Sequence, residues 1–259
     1  MSTRNYGWKR DDLDHRDRVL PQLIARFPLP DSVDLRGSGF MPPVYDQGQL
    51  GACTGHAIAA AVDFQRKKQG ESFIAPSRLF IYYNEREMEG TVDQDSGAQI
   101  RDGIKSIVSL GVCPESEWPY SDQNNQFAVK PSPQCYADAL KFKAVEYSRV
   151  TQQEYWIRHC LAIRGQPIVF GFSVFEAFES DDVASTGIVP MPNVSDSPIG
   201  GHAVLAVGYD ESKRLVTVRN SWGDQWGDHG YFYMPYDYIL DSRLASDFWV
   251  VEGEMQTAT

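Results

Sequence analysis

"YDQGQLGACTGHAIAAAVDFQ" runs from Tyr45 to Gln65. Glycines at 48, 51 and 55 loosen its first half, and Ala57, Ile58, Ala61, Val62 and Phe64 lay a near-helical apolar stripe along the second. The spacing predicts a helix over 54–69 with Gly70 as its C-cap. Cys53 stands where loop meets helix. A lone cysteine is by default a small buried hydrophobe. A helix N-terminus and a nearby histidinium can instead pull its thiol below the usual value of about 8.5 and make it a nucleophile. The role of Cys53 therefore turns on what the rest of the chain offers it.

Downstream, "PSRLFIYYNEREME" places Leu79, Tyr82, Tyr83 and Arg86 at helical spacing behind Pro76. "SGAQIRDGIKSIVSLG" repeats the pattern through Ile100, Ile104, Ile107 and Val108 and stops at Gly111. Past residue 140 the period changes. "PIVFGFSV", "HAVLAVGYD", "RLVTVRN", "GYFYMPY" and "DFWVVEGE" read as short strands, and "YDESKRL" fits a hairpin connection. A helical half followed by a strand half predicts an α+β protein of two lobes. That hairpin would set His202, after two glycines, close to Asn220. A neutral amide can orient a histidine ring without adding charge.

Composition narrows the function classes. The 259 residues can enclose a real core, and 42% are hydrophobic. A net charge of −11 without a basic patch argues against nucleic-acid binding. The longest apolar run, "AIAAAV", cannot span a bilayer, so no membrane role is expected. Cys53, Cys113, Cys135 and Cys160 form no C-x-x-C pair and no Cys/His zinc spacing, so neither a metal nor a cofactor is expected. Cys113 with Cys135 is one candidate disulfide; free thiols are the alternative. "MSTRNYGWKRDDLDHRDRVL" has no apolar core, so it is not read as a secretory signal. A cytoplasmic monomer is expected, with export by a dedicated secretion system left open.

"QGQLGACTGHA", "GGHAVLAVGYD" and "RNSWGDQWGDHGY" resemble the three signature blocks of the papain-like cysteine peptidases, in that family's order of Cys, His and Asn. The likeness runs from "LPDSVDLR", near Leu29, to "SDFWVVEGE", nearly the whole chain. "YGWKRDDLDHRD" and the "GxCTG" form of the cysteine block look like a bacterial branch with a short N-terminal pre-segment. The resemblance implies a papain-like two-lobe fold: a helical lobe over about 47–140 and a β-rich lobe over about 141–255 plus 31–46. The active site would lie in the cleft between them.

The resemblance also implies roles. Cys53 would be the nucleophile, His202 the general base and acid, and Asn220 its orienting partner. Gln47 would give its side-chain amide to the oxyanion hole beside the Cys53 N–H. Trp222 would shield the His202–Asn220 bond. Ser96 and Gly97 in "DSGAQ" would bind substrate backbone, Ala203 would touch the P2 side chain, and Ser246 would end that pocket. The expected reaction is hydrolysis of a peptide or protein substrate through an acyl-enzyme. Transpeptidase or amidase chemistry on the same scaffold, and a non-catalytic peptide-binding module, are the alternatives. Leu50 stands where the family usually has a disulfide cysteine, and Thr54 where it has an aromatic residue. His56, one turn past Cys53, is read as a packing or surface histidine rather than an alternative base. Residues 1–30 are read as a pro-like arm, with two placements open: across the cleft, or docked elsewhere as a strand-like extension.

Overall fold

In the computed structural model, residues 5–22, 26–71, 75–142 and 146–252 are described. Parts of the arm (1–4 and 23–25) and the expected end of the β-rich lobe (253–255) lie outside them. In chain order the elements are β1 (Trp8–Lys9), β2 (Ser32–Asp34), α1 (Cys53–Lys68), α2 (Arg78–Glu89), β3 (Ala98–Gln99), α3 (Ile100–Leu110), α4 (Pro133–Ala139) and β4 (Glu146–Arg149). They continue with α5 (Glu154–His159), β5 (Ile168–Val174), α6 (Asp181–Thr186), β6 (Gly200–Asp210), β7 (Leu215–Arg219), β8 (Tyr231–Pro235), α7 (Tyr236–Leu240) and β9 (Ala245–Glu252).

The helix expected over 54–69 occupies 53–68, so Cys53 is its first residue. Gln69 ends it and Gly70 takes the left-handed φ of +78° that stops it. The one-sided stripe read from sequence understates its burial, since every residue from Cys53 to Arg66 is buried. Helices α2 and α3 pack against α1 from one side and β6 from another, and the alanine run lets them come close. At Gly55 an added Cβ would stand 2.8 Å from the Arg78 carbonyl oxygen, so α2 requires glycine there. Helix α2 starts where the Ser77 hydroxyl accepts from Phe80 N at 3.1 Å, and stops at Gly90, φ +70°.

The strand half forms one sheet in the order β4-β9-β5-β6-β7-β8, antiparallel throughout, with β2 added antiparallel to β6. Phe170 and Phe248 stack in its core with ring centres 5.1 Å apart. This is the expected α+β arrangement of a helical lobe and a β-rich lobe, although α5, α6 and α7 fall within the latter. Leu50 is buried with Ala52, Leu79 and Tyr82, so apolar packing does the work of the missing disulfide; a buried leucine contributes about 2 kcal/mol. Cys113 and Cys135 are both free and buried, so the candidate disulfide is not formed.

The arm is woven into both lobes. Strand β1 pairs in parallel with β3, Trp8 opposite Ala98. Further on, Leu20 N donates to Arg149 O and Arg149 N to Arg18 O, both at 2.8 Å. A guanidinium binds this second stretch to the β-rich lobe. Arg149 meets Asp11 at 2.9 Å and Asp17 at 2.8 Å on the arm, and Asp247 at 3.4 Å on β9.

Candidate active site

The start of α1 and the start of β6 meet at one sulfur. Cys53 Sγ accepts the backbone N–H of Ala203 at 3.3 Å, which places it against the residue following His202. The His202 ring is fully buried, with Nε2 2.8 Å from Asn220 Oδ1. That same Oδ1 accepts the Ser221 N–H at 2.8 Å, which fixes it as the amide oxygen. It follows that Nε2 carries the ring proton and Nδ1 is the basic nitrogen of the neutral imidazole. The β6–β7 pairing brings the two residues together: Leu205 lies opposite Arg219, so His202 and Asn220 fall near the same end of the ladder. Trp222 lies along the His202 ring, centres 5.1 Å apart and planes 30° apart.

Gln47 completes the group. Its Nε2 donates to Leu50 O at 2.8 Å and reaches Asn5 O at 3.5 Å, while its Oε1 accepts from Ser221 Oγ at 2.6 Å. The amide is thereby oriented with N–H groups toward the loop before Cys53 and oxygen toward the residue after Asn220. Such a preset donor can stabilise charge without reorganising.

The cleft above these groups is filled by the arm. The backbone N–H of Gly7 faces Cys53 Sγ and helps lower its thiol, and the Gly7 carbonyl accepts from Ala98 N at 2.7 Å. Tyr6 sets its ring 6.1 Å from that of His202 and 6.2 Å from that of Trp222, and bonds Glu179 through its hydroxyl. Trp8 lies on β5 and β6, where a Cβ added at Gly171 or Gly201 would run into the indole. Its Nε1 donates to Asp247 Oδ2 at 3.2 Å.

Electrostatics follow from this covering. Burial pushes the Cys53 thiol up to about 12, only partly offset by the N–H groups of Ala203 and Gly7. A buried thiol is a poor nucleophile, so burial under the arm favours the neutral form of Cys53. His56 is buried too, its Nδ1 2.9 Å from Ala52 O, and burial followed by the Arg78 charge lowers it to about 3. It stays neutral and structural, as its reading from the sequence had it. On the arm, burial and then the Asp247 charge raise Asp11 to about 6, against hydrogen bonds from Trp249 Nε1 and Arg101 N and the charge of Arg149.

Cys53, His202, Asn220, Gln47, Trp222 and Ala203 thus come together. Gly97 gives its N–H to the Tyr82 hydroxyl at 3.1 Å, and Ser96 Oγ is taken up by Lys9 and Thr91. The neighbouring Ala98 gives its N–H to the arm, at Gly7 O. Ser246 lies opposite Gly171 in the sheet, but the side chain that meets the indole is Asp247. Residue 247 has φ +59°, at an irregularity of β9, which turns its carboxylate toward the cleft. The sequence carried a signal for this pocket in Gly171, a glycine inside an apolar strand, which marks close approach by another group.

A thiol at a helix start, an amide-oriented histidine and a preset side-chain amide, shared between a helical lobe and an antiparallel sheet, define the class of cysteine peptidases. The model of the papain family of cysteine proteases matches residues 29–248. Among relatives, an uncharacterized peptidase C1-like protein of Acanthamoeba polyphaga mimivirus is 44% identical over 273 residues, 96% of this chain and 87% of that protein. Pro-cathepsin H of Bos taurus is 30% identical over 219 residues, 79% of this chain and 59% of that protein. The crystal structure of xylellain, a cysteine protease from Xylella fastidiosa, superposes with a TM-score of 0.88 at 44% identity, covering 100% of this chain and 99% of that one. The chain belongs to the papain family and is a cysteine peptidase.

Proposed function

We propose that Cys53, His202, Asn220 and Gln47 carry the peptidase reaction and that the arm holds them latent. Once the cleft is open, His202 Nδ1 takes the Cys53 proton. The sulfur attacks the substrate carbonyl carbon, and the oxyanion is received by Gln47 Nε2 and the Cys53 N–H. His202 returns the proton to the departing amine as the C–N bond breaks, leaving a thioester. A water, deprotonated by His202, attacks the thioester and frees the acid. Asn220 holds the imidazole in the tautomer these steps require.

The observation that carries this reading is the coincidence at Cys53 Sγ of α1, β6 and the arm. The arm is unsuited to being cut where it lies. Gly7 presents an N–H to the sulfur where a substrate must present a carbonyl carbon. It therefore acts as a plug rather than a substrate. Hydrolysis of a fluorogenic peptide by the full chain, before and after limited proteolysis within residues 12–16, tests both parts. Activity that rises on cleavage and is absent in Cys53→Ser supports the reading; equal activity before and after removes the plug.

A further inference from the structure

The arm residue in the side-chain pocket of the cleft is Trp8, and the pocket is fitted to it at both ends. Gly171 on β5 and Gly201 on β6 leave the floor bare, so that a Cβ at either would overlap the indole or its backbone. At the far end, Asp247 accepts the indole N–H at 3.2 Å. Its carboxylate is buried and turned inward by the left-handed backbone at 247, φ +59°. Arg149, 3.4 Å from Oδ1, balances its charge from the other side. Gly171 is paired with Ala203 on one side and Ser246 on the other, so this is the pocket beside the catalytic strand.

We propose that Asp247 is a specificity-determining residue, and that the opened enzyme selects substrates whose P2 side chain is a large aromatic bearing an N–H donor, tryptophan above its hydrocarbon analogues. The proposal rests on the peptidase reading above. When the arm leaves, Asp247 loses the donors of Trp8 and of the Asp11 backbone, which lies 2.9 Å away, and keeps Arg149. A buried carboxylate with a vacated donor position favours a side chain that fills it and rejects one that cannot. Because Arg149 stays beside it, a neutral donor suits the pocket better than a cation.

The test uses the full chain with Trp8→Ala, which empties the pocket, and peptides identical except at P2: tryptophan, naphthylalanine, leucine and arginine. Tryptophan should exceed naphthylalanine in kcat/KM by about ten- to a hundredfold. Asp247→Gly, which tolerates the left-handed backbone, should bring the two within about threefold while leucine peptides are still cut. Equal rates for tryptophan and naphthylalanine with brisk cleavage of the leucine peptide would overturn the assignment, as would arginine as the best residue, which would make charge the recognised feature. Failure to cut any of the peptides, with no labelling of Cys53 by a peptidyl epoxide, would instead strike the peptidase reading.

A second measurement covers the case in which Trp8→Ala does not fold. In the otherwise intact chain, Trp8→Phe and Asp247→Gly should each speed labelling of Cys53, and the double variant should be no faster than the quicker single one. Fully additive effects would show that the indole and the carboxylate do not recognise one another.

Discussion

The backbone N–H of Gly7 faces the Sγ of Cys53, so on the proposed reading the arm meets the nucleophilic sulfur with the wrong group for attack. A peptide bound for cleavage has to bring a carbonyl carbon to that point. On the proposed mechanism the same contact that covers Cys53 also protects the arm, and latency would follow without any distortion of Cys53, His202 or Asn220.

Trp8 is the arm's largest anchor in the cleft, with 9% of its surface exposed. Truncating a buried tryptophan costs about 3 kcal/mol or more. In Trp8→Ala the arm should spend about a hundredfold more time away from the cleft. Peptide hydrolysis by the intact chain should rise accordingly, with Arg149 and the Leu20 pairing still tethering the rest of the arm.

Gln47→Glu should cost some stability, because a carboxylate oxygen would face the Leu50 carbonyl that Gln47 Nε2 bonds at 2.8 Å, and it should be severe for turnover. The shape is kept, but a carboxylate replaces the donor where negative charge develops. A loss of about 10²–10³-fold in kcat is expected, with KM changed much less, measured on arm-released enzyme.

Asn220→Ala removes the 2.8 Å bond to His202 Nε2 and with it the preference for the tautomer with a basic Nδ1. A fall of about tenfold or more in kcat/KM is expected. The acidic limb of the pH–rate profile should move as well, a change that general loosening of the fold would not produce.

The arm's grip should tighten in acid. Asp11 titrates near 6 when docked, raised first by burial and then by Asp247, and near the ordinary aspartate value of about 3.9 when free. Docking therefore takes up a proton. The stabilisation from this group is complete below about pH 4 and is lost as pH rises through 6, an effect on the order of 3 kcal/mol. Arg149, Asp17, Asp247, Trp249 and Arg101 face the same cluster, whereas Asp14 pairs with Arg16 on the arm and with Lys105 of α3 at 3.7 Å. Proteolytic removal of the arm from the Cys53→Ala chain should be faster at pH 7.5 than at pH 4.5, and Asp11→Asn should flatten the difference.

The elements and the meeting of Cys53, His202, Asn220 and Gln47 were legible in the sequence, and the partners of the arm were not. The α1 boundary was off by one residue, and the five strands fell where the valine- and aromatic-rich runs lay. His202 and Asn220 were legible because a hairpin, a local feature, brings them together. Asp247 was not, because its meeting with Trp8 joins residues 239 apart in sequence and depends on a positive φ that no residue pattern announces. That the Tyr82 hydroxyl takes the Gly97 N–H while Ala98 N meets the arm was hidden for a similar reason. The plug's orientation was equally hidden: composition placed aromatic and proline residues on the arm, but only the parallel pairing of β1 with β3 fixes which of its groups faces the sulfur.

The central claim, a complete cysteine nucleophile covered by its own chain, is tested most directly by mass-spectrometric labelling with a peptidyl epoxide. The intact protein should label slowly. The protein cleaved between residues 12 and 16, and freed of the segment before the cut, should take one adduct on Cys53 quickly, and His202→Ala should slow that reaction. Rapid labelling of the intact chain would contradict the covering, and no adduct on Cys53 in the cleaved protein would contradict the nucleophile.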